Sequence, residues 1–252
     1  MRASISRIKL YKACKRAWEL RYKEHLFPVE PAEALETGKS YHAFLEALEN
    51  GEDPCFDYSK AAAMAAAYQK HILPKFKVSA AEVELEKKLG NHILHGIVDG
   101  LSEDGFIVEH KTTSRDISEG GEYEYQLLWD EQVLAYMSLT DRRRVYYTVC
   151  KKPTIRLKKD ESEEEFYNRM VAWYDEDTES KIRVFEVERT DDEVAQFEQD
   201  FITICDDIEN TTNFYRNTCH CSAYGRRCEY SAVCLHYDPE QQYMAFIKKE
   251  EE

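Results

Sequence analysis

The chain has 252 residues, 43% of them hydrophobic, with 49 acidic and 34 basic side chains for a net charge of −15. That length suits one large domain or one domain with an appendage, and the apolar share is enough for a sizeable core. No run of about 18 apolar residues is present, and the basic N-terminus lacks the apolar stretch of a secretory signal, so neither a membrane span nor export is expected and the cytoplasm is the expected location.

The acid excess argues against a non-specific polyanion binder. The charge is uneven, however. Residues 1–24 hold eight basic side chains, among them Lys9, Lys12, Lys15 and Arg16, against Glu19 and Glu24. Residues 142–159, from Arg142 to Lys159, hold eight more and no acid, while acids gather in 160–208 and at the C-terminal end. Two basic segments allow a local positive face on an acidic protein.

In chain order, residues 5–24 read as one helix capped by Ser4 or Ser6. Ile8, Tyr11, Cys14 and Trp18 fall at spacings of three and four, one helix face. Residues 26–35, with Pro28 and Pro31, read as a loop. Residues 37–50 read as a helix with Thr37 as cap and with His42, Leu45, Glu46 and Glu49 on one side. An Ala-rich helix follows from Tyr58 to Leu73, ended by Pro74. The period then changes: Val83, Leu85 and Lys87 alternate with Glu82, Glu84 and Glu86, an amphipathic strand. Residues 91–113 read as a hairpin around Ser102-Glu103-Asp104-Gly105, with Gly105 at the left-handed position of a three-residue loop. A helix over 123–139, a strand over 145–149 and a helix over 161–173 come next, the last with Ser162 and Glu165 as a capping-box pair. Residues 182–187 read as a strand and 191–209 as a helix. The order is helix, three strands, helix, strand, with additions at both ends.

The hairpin carries the first chemistry. Its register sets Asp99 opposite Glu109, roughly 5 Å apart at Cβ, and alternation puts Lys111 on the face of Glu109. Paired carboxylates at that distance repel unless a cation or proton lies between them. Asp99 and Glu109 offer oxygens to a hard divalent ion, the backbone carbonyl of His110 offers another, and His42 on the preceding helix suits Mn²⁺ better than Mg²⁺. Such an ion generates a hydroxide and neutralises phosphate charge, and Lys111 can orient water or stabilise added negative charge.

Eight cysteines are present, four of them (Cys219, Cys221, Cys228 and Cys234) within 16 residues. Without an export signal a metal or cluster site is favoured over disulfides. Zinc suits four thiolates, and so does a [4Fe–4S] cluster. Cys55, Cys150 and Cys205 read as packing residues. Arg226 and Arg227 flank Cys228, and with the basic residues around Cys14 they could contact phosphates. Tyr11, Trp18 and Tyr22 are candidates for base stacking, with core packing the alternative for at least two of them.

The ordered set Gly38-X3-His42-X3-Glu46, Gly96-X2-Asp99-Gly100, Val108-Glu109-His110-Lys111-Thr112 and Gln132-X3-Tyr136 resembles the RecB-like branch of the PD-(D/E)XK nucleases. The resemblance implies an α/β fold, a restriction-endonuclease-like αβββαβ core over about residues 37–150 within a single nuclease domain spanning 1–252. It implies metal ligation by His42, Asp99 and Glu109, catalysis by Lys111 with Asp99 and Glu109, and DNA binding by Gln132 and Tyr136. The cysteines resemble the iron–sulfur variant of that branch, which includes the CRISPR-associated adaptation exonuclease, AddB-type nuclease subunits and phage nucleases. That implies a [4Fe–4S] cluster on Cys14, Cys221, Cys228 and Cys234 joining about 5–24 to 215–236, with Cys219 as an alternative to Cys221.

The expected function is a Mg²⁺- or Mn²⁺-dependent exonuclease acting on single-stranded DNA or duplex ends, of phage or mobile-element type, in a host cytoplasm if phage-encoded. A recombination or helicase protein is the expected partner. The alternatives are a DNA-binding recombination or CRISPR-adaptation partner with little nuclease activity, and a structural zinc protein.

Overall fold

The computed structural model describes residues 1–29, 33–223, 227–235 and 246–248. In chain order they form β1 (Arg2–Ser4), α1 (Ile5–Ala13), α2 (Lys15–Tyr22), β2 (Leu26–Pro28), α3 (Glu33–Glu49) and α4 (Lys60–His71). Next come β3 (Val78–Leu89), β4 (His92–Ser102), β5 (Ile107–Thr113), α5 (Glu122–Leu127), α6 (Glu131–Thr140) and β6 (Arg144–Lys151). The chain continues through α7 (Glu163–Glu176), β7 (Ile182–Glu188), α8 (Asp191–Asn210), α9 (Ser231–Cys234) and β8 (Phe246–Lys248). No helix among the described residues is long and apolar enough to cross a membrane. Contacts divide the chain into two units, one of Glu33–Lys87 with Gly96–Phe197 and one of Met1–Ala32, Lys88–His95 and Glu198–Glu252.

The first of these units holds the αβββαβ order expected from the sequence. Its sheet runs β3-β4-β5-β6-β7. β4 and β5 are antiparallel, with Gly100 opposite Val108 and Leu101 opposite Ile107. β5 and β6 are parallel over Ile107–Thr113 and Val145–Lys151, and β7 returns antiparallel to β6. Residues 107–110 of β5 are buried without alternation, as suits a parallel strand covered on both faces. Two of those four are Glu109 and His110, so the strand brings ionisable groups into the interior, where they need partners.

The hairpin closes as its sequence predicts. Gly105 has φ +91°, Ser102 donates its N–H to the Phe106 carbonyl at 3.0 Å, and Phe106 donates to the Ser102 hydroxyl at 2.9 Å. Ser162 and Glu165 form the expected capping box on α7.

Helices differ from expectation where a side chain competes for the backbone. The helix expected over 123–139 is two, because Asp130 leaves the helical path and accepts the Gln132 N–H at 3.1 Å as cap of α6. α3 starts at Glu33, so Thr37 lies inside it rather than capping it. Gly96 has a packing reason: a Cβ there would lie 3.3 Å from Leu139 Cδ1 and 3.4 Å from Tyr136 Cε1, so its absence lets α6 approach β4.

In the second unit, the helix expected over 5–24 is broken at Cys14, whose backbone is extended at φ −162° and ψ 111°. Asn217 caps the break, its side-chain amide donating to the Ala13 carbonyl at 2.8 Å and its N–H to Cys14 Sγ at 3.4 Å. Ser4 caps α1. Part of the expected 26–35 loop is instead β2, antiparallel to β8; residues 30–32 lie outside the described residues. Here β1 pairs in parallel with residues 93–95 of β4. Tyr11 and Trp18 are buried, and Trp18 stacks on Phe214 with centroids 5.6 Å apart, so both pack the core rather than present faces for stacking. Cys150 and Cys205 are buried as expected, but Cys55 is exposed rather than a packing residue.

Replacing Gly96 with valine should destabilise the protein by about 1–3 kcal/mol through overpacking against Tyr136 and Leu139, read as a lower urea midpoint at unchanged m-value.

Candidate active site

Asp99 on β4 and Glu109 on β5 face each other in the hairpin register, which continues the pairing of Gly100 with Val108. Asp99 Oδ2 accepts the His110 N–H at 2.8 Å, and Asp99 Oδ1 lies 3.7 Å from His42 Nδ1 on α3. Glu109 is 2% exposed. One of its oxygens pairs with Lys111 Nζ at 2.6 Å; the other, Oε2, is buried with no hydrogen-bond partner. Burial, and then the Asp99 charge, push the Glu109 carboxyl up to about 7. Burial also raises Asp99, against the pull of His110. Burial, followed by the charge of His110, lowers His42 to about 4, so its imidazole is neutral at neutral pH and offers a lone pair.

Lys111 is aimed by three groups. Besides Glu109, Asp130 Oδ2 lies 3.5 Å from its Nζ and Gln132 Oε1 accepts from it at 2.9 Å. Burial alone would lower its pKa, but Glu109 and Asp130 outweigh burial and raise it, so the ammonium stays charged. Gln132 Nε2 in turn donates to the Tyr136 hydroxyl at 2.8 Å, and the Tyr147 hydroxyl donates to Asp130 at 3.4 Å.

Strand alternation turns the His110 ring to the opposite face. There its Nδ1 lies 2.6 Å from the Thr148 hydroxyl and its Nε2 3.1 Å from Glu49 Oε1. The Tyr68 hydroxyl donates to the same Glu49 oxygen. Burial opposes a charge on His110, but the Glu49 carboxylate outweighs it and the net shift is upward.

The structure therefore brings His42, Asp99, Glu109, His110, Lys111, Gln132 and Tyr136 together. Sequence reasoning passed over Asp130 and the burial of Glu49. Asp-Glu-Gln at 130–132 is a recognisable helix start, so Asp130 had a signal, hidden by reading the helix as continuous. Glu82 also reaches the site: a donor atom from each of His42, Glu82 and Asp99 lies within 4.8 Å of the others.

The matching family model is that of the PD-(D/E)XK nuclease superfamily, over residues 2–235. The chain belongs to this superfamily. Nucleases of the superfamily typically use divalent metal ions, and the donor set here fits one, because the unpaired buried Oε2 of Glu109 and the neutral His42 ring both lack a positive partner. Solved structures with a similar chain course include three of low identity. SSO0001 is 16% identical, covering 93% of this chain and 86% of that one, with a TM-score of 0.47. A phage-related exonuclease from Haemophilus somnus 129PT is 14% identical, covering 71% and 87%, with a TM-score of 0.40. The alkaline exonuclease LHK-Exo from Laribacter hongkongensis is 11% identical, covering 82% and 88%, with a TM-score of 0.38. Comparison with curated proteins finds no match.

The cysteines form a separate group in the other unit. Cys14, Cys228 and Cys234 share a cluster with Leu20, Leu26, Tyr230 and Val233. Cys228 donates its N–H to the Cys221 carbonyl at 2.9 Å, and burial, with smaller contributions from Cys14 and Cys221, raises the Cys228 and Cys234 thiols. Cys219 is exposed. Arg226 lies outside the described residues.

Because Glu109 is raised to about 7 from an unfolded value near 4.3, its contribution is fully present below about pH 4 and is lost as pH rises through about 7. In the metal-free protein, Glu109→Gln should therefore flatten that fall and gain stability over the wild type between about pH 5 and 8. Denaturant midpoints taken across that range in EDTA check it; parallel curves would contradict it.

Proposed function

We propose that this nuclease is a metal-dependent exonuclease of single-stranded DNA or duplex ends, of the RecB-like, iron–sulfur branch, serving phage or mobile-element DNA processing with a recombination or helicase partner. The observation that carries the reading is Glu109, a fully buried carboxylate with Lys111 on one oxygen and nothing on the other, facing Asp99 from the next strand. That arrangement is stable only with a proton or a cation in place.

His42, Asp99, Glu109 and the His110 carbonyl are the residues that would hold Mg²⁺ or Mn²⁺, within a nuclease core over about residues 37–150. Such an ion neutralises phosphate charge and acidifies an attacking water. The protein's own groups do the rest. With one Asp99 oxygen tied to the His110 N–H, the other, beside His42, would be the one to hold an ion. Lys111, kept charged by Glu109 and Asp130, donates to the oxygens on which negative charge grows as the phosphodiester is attacked. Gln132 and Tyr136, DNA-binding in the family pattern, direct their hydrogen bonds along the line Tyr136–Gln132–Lys111, so positioning the ammonium is the role their geometry supports best.

Exposed aromatics next to this centre support a nucleic-acid substrate. Trp129 is 71% exposed and Tyr125 59%, and Trp129 directly precedes Asp130. Aromatic faces of this kind stack on unpaired bases.

Cys14, Cys221, Cys228 and Cys234 are the proposed cluster ligands, with the exposed Cys219 left aside. Among the described residues no three cysteine sulfurs lie within 4.8 Å of one another, so the preference for a cluster over zinc rests on the resemblance to the iron–sulfur branch. A cluster there would close a loop of about 200 residues, where a crosslink removes much unfolded-state entropy.

Two measurements test these readings. Glu109→Ala and Lys111→Ala should each reduce Mg²⁺- or Mn²⁺-dependent cleavage of end-labelled DNA by about 10²-fold or more with an unchanged circular dichroism spectrum; near-wild-type cleavage by either overturns the site. Protein purified without oxygen should be brown and carry about four irons per chain. A colourless preparation containing zinc would assign the cysteines to that metal instead.

A further inference from the structure

Glu82 stands outside the family pattern, and strand alternation alone would place it on the face of Glu84 and Glu86, both of which are exposed. It does not lie there. Its backbone is left-handed at φ +47°, and burial does not alternate through Ala81, Glu82 and Val83. That local turn in β3 carries the Glu82 carboxylate within 4.8 Å of a His42 ring nitrogen and an Asp99 oxygen.

No lysine or arginine pairs with Glu82 among the described residues, and Lys111 is engaged by Glu109, Asp130 and Gln132. Two carboxylates and an imidazole nitrogen thus converge with no lysine or arginine bonded to them among the described residues. The unpartnered, buried Oε2 of Glu109 faces Asp99 from the adjoining strand and independently marks the same place as short of a cation. The spacing suits one: donors bound at about 2.1 Å sit about 3.0 Å apart when adjacent and about 4.2 Å apart when opposite, and His42 Nδ1 and Asp99 Oδ1 are 3.7 Å apart.

We infer that Glu82 is a further protein ligand of the divalent cation, joining His42 and Asp99 from the first strand of the core; the inference rests on the metal-site reading above. A nitrogen with two carboxylates is a donor set that Mn²⁺ accepts readily. The left-handed turn is then the means by which a strand residue is redirected from solvent to the ion.

The test titrates Mn²⁺ alone into the EDTA-stripped full chain, without DNA, following free Mn²⁺ by electron paramagnetic resonance. Glu82→Gln should weaken binding by about tenfold or more, since affinity follows ligand charge, at an unchanged melting temperature. Glu82→Gly relieves the left-handed backbone, so it should weaken binding equally while melting no lower than the wild type. If both variants bind within about twofold of the wild type while Asp99→Asn has lost binding, the role of Glu82 is overturned and the metal site stands. If Asp99→Asn also binds like the wild type, or the wild type binds no Mn²⁺, both readings fall.

Discussion

Two carboxylates held face to face out of water are the constraint on which this centre depends. Asp99 and Glu109 would repel in any setting, and burial removes the solvent that would screen them. Each neighbouring group answers that contact. The His110 N–H satisfies one Asp99 oxygen, Lys111 holds one Glu109 oxygen, and His42 remains neutral beside both. The residual imbalance, an unpaired oxygen at the centre of a nuclease fold, is the physical basis for reading the site as cation-dependent.

The strand that carries Glu109 is clamped from both faces. Alternation sends Glu109 and Lys111 to one side and the His110 ring to the other, where Glu49 and Thr148 hold it and Tyr68 bonds Glu49. Buried ion pairs of this kind add little net stability. What they add is orientation, because a rotation of β5 that displaced Glu109 would also tear His110 from Glu49. The precision of one face is therefore set partly by polar contacts on the other.

The hairpin, its register and the pairing of Glu109 with Lys111 were legible because they follow from local rules: a Gly at a left-handed turn position, period-two alternation and short spacings. The capping box at Ser162 and Glu165 was legible for the same reason. What the pattern hid depends on distant partners. Asn217 breaks the first helix at Cys14 from some 200 residues away, and β2 finds its strand partner, β8, near the other end of the chain. Glu82 was hidden differently. It obeys the alternation of its neighbours in sequence, and only its backbone angle, which no pattern of apolar and polar residues encodes, takes it out of line. Tyr11 and Trp18 were ambiguous by composition alone and were resolved by burial.

Asp130 answers to two masters. One carboxylate oxygen caps α6 through the Gln132 N–H, and the other lies beside the Lys111 ammonium. Asparagine at this position would retain the cap and lose the charge; glutamate would retain the charge and lose the short reach that capping needs. Substitution here is consequently narrow: the start of a helix and the aim of a lysine cannot drift apart over evolutionary time, because a single side chain transmits any change in one to the other.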